Sequence, residues 1–114
     1  MITIYHNPRC TKSREGLKTL ENLGCKFEVR EYLKQPLSEK ELKNLLGKLN
    51  MSPMELVRTE EKIWKENYRE RDLTDDELIR VMTENPKLIQ RPIVEKDEKA
   101  VVGRPTKNIE DLLN

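Results

Sequence analysis

Histidine occurs once in this chain of 114 residues, cysteine twice and glycine four times, and no apolar run approaches the length of a membrane span. Each scarcity closes a class of function. One histidine and two separated cysteines argue against a metal centre, which needs clustered nitrogen and sulfur ligands. Two cysteines do not make the disulfide framework that staples small secreted domains, and without a secretion leader they read as reduced thiols with catalytic or packing roles. The formal net charge is only +1, so no global electrostatic footprint points to nucleic acid or to an anionic membrane. With neither a leader nor a membrane-spanning run, the expectation is a soluble, cytoplasmic protein. The length suits one compact domain, 1–114, with an ordinary core, and internal repeats and low-complexity tracts are absent.

What is present is patterned. Ile2-Thr3-Ile4-Tyr5 alternates apolar and polar residues as a half-buried strand does, and Asn7-Pro8 breaks it. From Thr11 the period turns helical, with Leu17, Leu20 and Leu23 on one stripe and Gly24 placed to stop the helix. Phe27, Val29 and Tyr32 mark a second strand. Segments 38–41, 52–55 and 74–77 open on Ser38, Ser52 and Thr74 and close on glutamate, the form of a capping box. The stretch of about 38–89 therefore reads as a helical insertion, in which Trp64 and Tyr68 stand at helical spacing as core anchors. Segments 91–95 and 99–103 flank Lys96-Asp97-Glu98 as a short antiparallel hairpin, and a last helix follows from Thr106 to Leu113. The order βαβ, helices, ββα belongs to the α/β class.

Cys10 stands where the first strand gives way to the first helix. The first N–H groups of a helix lack intrahelical partners and carry the positive end of the macrodipole, so that position stabilises a thiolate and also binds anions. His6, Arg9, Lys12 and Arg14 surround it in sequence. The alternative, a small buried thiol used only for packing, fits poorly, because burying so many charges beside it is costly. Position 13 is serine, so the segment is Cys-x-x-Ser and offers no local resolving thiol. Cys25 shares parity with Phe27 and Val29 and reads as a core residue. His6 is better placed to tune the Cys10 thiolate than to bind a metal. Arg91-Pro92 and Arg104-Pro105 border the two hairpin strands, and guanidinium forks at those ends suit a tetrahedral oxyanion.

These residues carry a resemblance. His6, Cys10 and Arg14 in HNPRCTKSR, Arg58 in LVR, Arg91 and Pro92 in NPKLIQRPIV, and Arg104 in VGRP resemble, in this order, the ArsC-type arsenate reductase family of thioredoxin-like proteins. That family also contains Spx-type regulators. The resemblance implies a four-stranded mixed sheet with flanking helices and a cis-proline at Pro92 facing the cysteine loop. It implies that Cys10 attacks arsenate or a related oxyanion, that His6 and Arg14 tune the thiolate, and that Arg58, Arg91 and Arg104 hold the oxyanion. It further implies no bound cofactor and no metal. Glutathione serves as co-substrate, and glutaredoxin or thioredoxin is the partner that donates electrons. The alternatives are an Spx-like redox-responsive transcriptional regulator that binds RNA polymerase, although sensors of that type carry Cys-x-x-Cys, which Ser13 removes, or a reductase of another oxidised substrate.

Overall fold

The computed structural model describes every residue from Met1 to Asn114. The chain forms two compact units, one of Met1–Gln35 with Arg91–Asn114 and the other of Pro36–Gln90.

The first unit is built on a four-stranded mixed sheet. Its strands are β1 (Ile2–Tyr5), β2 (Glu28–Arg30), β3 (Ile93–Lys96) and β4 (Lys99–Val102), in the order β2-β1-β3-β4. β1 runs parallel to β2, with Ile4 opposite Val29, and antiparallel to β3, with Ile4 opposite Val94. Parallel neighbours need a crossover, and α1 (Thr11–Asn22) supplies it. β3 and β4 form the expected hairpin, tighter than the sequence pattern implied: only Asp97 and Glu98 lie between the strands, and Asp97 takes φ of 55°. The final helix, α6 (Lys107–Leu113), packs with α1 against the sheet, where Ile4, Leu20, Val94 and Ile109 make a fully buried cluster. This is the thioredoxin-like α/β arrangement.

Two details depart from the pattern read in the sequence. The buried face of α1 is Ser13, Gly16 and Leu20, whereas Leu23 is its exposed C-cap. The stripe is shifted because Pro92 occupies the space over Gly16: a Cβ there would stand 2.7 Å from Pro92 Cγ. The second strand ends at Arg30, so Tyr32 is buried in the turn that follows, and Val29 is 47% exposed on the sheet edge. An edge strand covered by no neighbour on its outer side does not obey simple parity.

The second unit is helical: α2 (Glu39–Leu49), α3 (Pro53–Leu56), α4 (Lys62–Asn67) and α5 (Asp75–Glu84), then a 3₁₀ turn at Pro86–Leu88. The capping boxes at Ser38 and Thr74 are reciprocal, each side chain accepting from the backbone N–H of the glutamate whose carboxylate accepts from its own N–H. Ser52 donates to Glu55 Oε1 through both N–H and hydroxyl. Trp64 is buried and its ring lies 5.8 Å from that of Tyr68. No helix is long and apolar enough to cross a membrane.

The glycines predict opposite outcomes. Gly16→Ala forces its methyl into the Pro92 ring and should lower the unfolding free energy by about 1–3 kcal/mol. Gly47→Ala, in α2 with nothing within 4 Å, should raise it by about 0.5–1 kcal/mol. Urea unfolding of the two variants measures both.

Candidate functional site

β1 delivers the chain to the loop that carries the thiol. His6 N–H donates to Arg30 O at 2.9 Å, and a turn then closes with Cys10 N–H donating to Asn7 O at 3.0 Å. Cys10 is the N-cap of α1, extended at φ −99° and ψ 124°, and its side chain caps nothing. Its carbonyl accepts the first helical bond, from Arg14 N–H at 3.0 Å. No acidic residue sits in the first turn of α1, whereas α2, α3 and α5 each have at least one. A half-buried thiol thus stands at the positive end of a twelve-residue helix with no carboxylate competing for it.

Beneath the loop lies a hydrogen-bonded pair. Apart from the buried tyrosines and tryptophan, His6 and Ser13 are the only buried polar side chains, at 4% and 0% exposure, and His6 Nδ1 is 2.7 Å from Ser13 Oγ. Asn7 N–H donates to the same oxygen at 2.9 Å, and Arg9 N–H donates to Asn7 Oδ1. Arg14 closes the loop from outside, its Nη1 donating to Pro8 O and its Nη2 to Thr11 Oγ1. Burial lowers the His6 pKa from its ordinary 6.5, the Glu31 charge opposing it, the Arg14 charge acting with it and a hydrogen bond to the Ser13 backbone opposing it in turn. His6 is therefore a neutral imidazole at neutral pH. Ser13, which the sequence marks only as the absent resolving thiol, is the member of this group whose hydrogen-bonding role the sequence pattern did not give. Its signal was the face it shares with Gly16 and Leu20, which marks it as inward.

The hairpin brings Arg91 and Arg104 to the same end of the sheet. The β3–β4 register pairs Ile93 with Val102, and Gly103 N–H donates to Pro92 O at 2.8 Å, which continues the pairing towards Arg91 and Arg104. β1 ends beside the start of β3, with Tyr5 opposite Ile93. The peptides before Pro92 and Pro105 are both cis. Pro92 is held between α1 and β4: it sits against Gly16 on one side and Gly103 on the other. Arg91 is half-buried, and its Nε and Nη1 are buried without a hydrogen-bond partner. Arg104 is exposed.

Arg58 belongs to the helical unit and has carboxylate partners there. Nη1 lies 2.8 Å from Glu61 Oε2, Nε lies 3.5 Å from Glu60 Oε1, and the side chain is 14% exposed. The pairing was not legible from LVR alone, although Glu60 and Glu61 follow closely. Cys25 is free and half-buried beyond the other end of α1, with Sγ 3.5 Å from Leu20 O. Twelve helical residues at about 1.5 Å each separate the thiols by roughly 18 Å. A disulfide needs Cα atoms within about 7 Å, so Cys25 does not resolve a Cys10 adduct in this fold. No group of three or more His, Cys, Asp or Glu is arranged to hold a metal ion.

Comparison with known proteins places the chain in a family. The family model described as "ArsC family" matches residues 5–112. "Arsenate reductase" of Neisseria meningitidis is 42% identical over 114 residues, covering 98% of this chain and 97% of that one. "Uncharacterized protein YfgD" of Escherichia coli is 43% identical, covering 98% and 96%. Among solved structures, "Arsenate reductase from Vibrio cholerae" superposes with a TM-score of 0.92 at 42% identity, covering 96% of this chain and 95% of that one.

The buried imidazole sets a pH dependence. An unfolded His6 takes up a proton near its ordinary pKa of 6.5, while the folded one resists protonation. Its contribution to stability is therefore complete above that pH and is lost as the pH falls through the lowered folded value. Urea unfolding at about pH 7.5 and about pH 5.5 should show the wild type losing more stability on acidification than His6→Gln.

Proposed function

We propose, from the premise that the chain belongs to the ArsC family, that it is a thiol-dependent oxidoreductase that reduces arsenate to arsenite through Cys10. The observation that carries this reading is the guanidinium of Arg91, with two buried nitrogens and no partner, in the same unit as an N-cap thiol. An unpaired buried cation is costly unless an anion completes it. A tetrahedral oxyanion supplies what it lacks, and Arg104 stands across the hairpin end to share the charge. The names of the relatives, arsenate reductases in Neisseria meningitidis and Vibrio cholerae, support arsenate as that oxyanion.

In the proposed cycle the Cys10 thiolate attacks arsenic, an S–As bond forms, and one arsenate oxygen leaves as water after protonation. The arginines stabilise the anionic adduct. Arg58, which the family resemblance assigns to the same task, is paired within its own unit with Glu60 and Glu61. Two electrons must then come from thiols, because As(V) becomes As(III) on release as arsenite. Ser13 has no sulfur and Cys25 lies at the far end of α1, so an external thiol takes that part. Glutathione is the proposed co-substrate, with glutaredoxin or thioredoxin reducing the resulting disulfide by exchange. His6 and Arg14 serve the thiolate by shaping the loop that holds it.

The test is arsenate-dependent NADPH oxidation with glutathione, glutaredoxin and glutathione reductase. Cys10→Ser should abolish turnover and Cys25→Ser should keep it. Arg91→Ala should lower kcat/KM for arsenate by about 10²–10³-fold, the scale of losing one oxyanion donor. Equal loss in both cysteine variants would contradict the single-nucleophile cycle. Wild-type protein that reacts at Cys10 yet turns over no arsenate would move the substrate to another oxidised compound.

A further inference from the structure

The Cys-x-x-Ser segment looks like a redox pair with one sulfur deleted, but Ser13 is fully buried and its hydroxyl is committed. The Asn7 N–H can only donate, so Ser13 Oγ accepts it at 2.9 Å. The hydroxyl proton then needs an acceptor. His6 Nδ1, 2.7 Å away, is the other partner of Oγ. If Nδ1 carried the imidazole proton, Oγ would receive two donors and its own proton would be buried with nothing to bond. Leaving a buried donor unmet costs free energy, and the other tautomer removes that cost completely.

We propose that Ser13 is a positioning residue of the thiol site: its hydroxyl donates to His6 Nδ1 and accepts from Asn7, fixing the imidazole as the Nε2–H tautomer and holding the Asn7-to-Cys10 turn. The consequence for chemistry follows from the donor–acceptor pattern. A neutral imidazole protonated at Nε2 can donate there and cannot accept. The Asn7 N–H is held by Ser13 while Asn7 O accepts the Cys10 N–H at 3.0 Å, so one hydroxyl bonds both the imidazole and the residue whose carbonyl anchors the nucleophile. Serine at this position is thus a chosen hydrogen-bonding group, small enough for the buried face of α1 between the loop and Gly16. The inference rests on the reading of Cys10 as the nucleophile, and it makes no use of arsenate.

The experiment uses the full chain carrying Cys25→Ser, so that Cys10 alone reports on alkylation. His6 is the only histidine, so a long-range proton–nitrogen correlation spectrum of the imidazole needs no assignment. At a pH above 7 the spectrum should show Nε2 protonated and Nδ1 as an acceptor. Ser13→Ala should lose the single tautomer and slow iodoacetamide alkylation of Cys10 by about three- to tenfold, the range of one lost hydrogen bond. Ser13→Thr, which keeps the hydroxyl, should restore the tautomer. A wild-type imidazole protonated at Nδ1 overturns the proposal, and this reading stands even if Ser13→Ala fails to fold. So does a folded Ser13→Ala protein with unchanged tautomer and unchanged alkylation rate, whose only defect is lower stability. Failure of arsenate turnover would leave these results intact, and failure here would leave the turnover assay to be judged alone.

Discussion

The contact on which the first unit depends is the seating of Pro92 between two glycines. A side chain at Gly16 or Gly103 would stand 2.7–3.2 Å from the proline ring, so α1, β3 and β4 approach as closely as they do only because both positions are bare. That approach has a functional result. It puts the start of β3, and with it Arg91, at the sheet end where β1 releases the Cys10 loop. Ile109 of α6 closes the same cluster against Gly103 and Gly16, so the hydrophobic core and the cationic end of the site share one set of contacts. Close packing of this kind transmits small shifts, and a displacement of the proline would move its neighbouring guanidinium.

Electrostatics divide the helices into two groups. α2, α3 and α5 place carboxylates at their N-termini and use them in capping, which satisfies the free N–H groups and neutralises the positive end. α1 opens on a cysteine whose side chain caps nothing, followed by Thr11 and Lys12. In a chain with nearly equal numbers of acids and bases, this terminus has no carboxylate at its N-cap or in its first turn, whereas α4, the other helix with none in its first turn, has Glu61 as its N-cap. Among the arginines, Arg58 has two glutamates within ion-pair reach although its Nε is buried without a hydrogen bond, whereas Arg91 Nε and Nη1 have neither a hydrogen bond nor an ion pair. An unmet helix end and an unmet guanidinium in one unit are what the proposed anion site rests on.

Much of this was legible from residues alone. Capping boxes are local, so Ser38 and Thr74 announced their helices, and the position of Cys10 followed from the switch of period after Tyr5. The hairpin was legible for the same reason. Tertiary effects were not. Leu23 looked like the continuation of a buried stripe, yet Ser13 and Gly16 take that face because a proline distant in sequence packs there. Val29 had strand parity but lies on an outer edge, and Tyr32 is buried from a turn. At the site, the residues themselves pointed to Cys10, Arg91 and Arg104 and the family resemblance added Arg58, while the role of Ser13 required the positions of its two hydrogen-bonding partners, which no spacing rule supplies.

The claim at the centre of this account is that the Cys10 thiol and the Arg91 guanidinium together form one oxyanion site. The rate of Cys10 alkylation by iodoacetamide, followed by intact mass at increasing arsenate concentration, tests it most directly. The account predicts saturable protection in the wild type that is lost in Arg91→Ala. A rate independent of arsenate in the wild type, or protection undiminished in the variant, would contradict it.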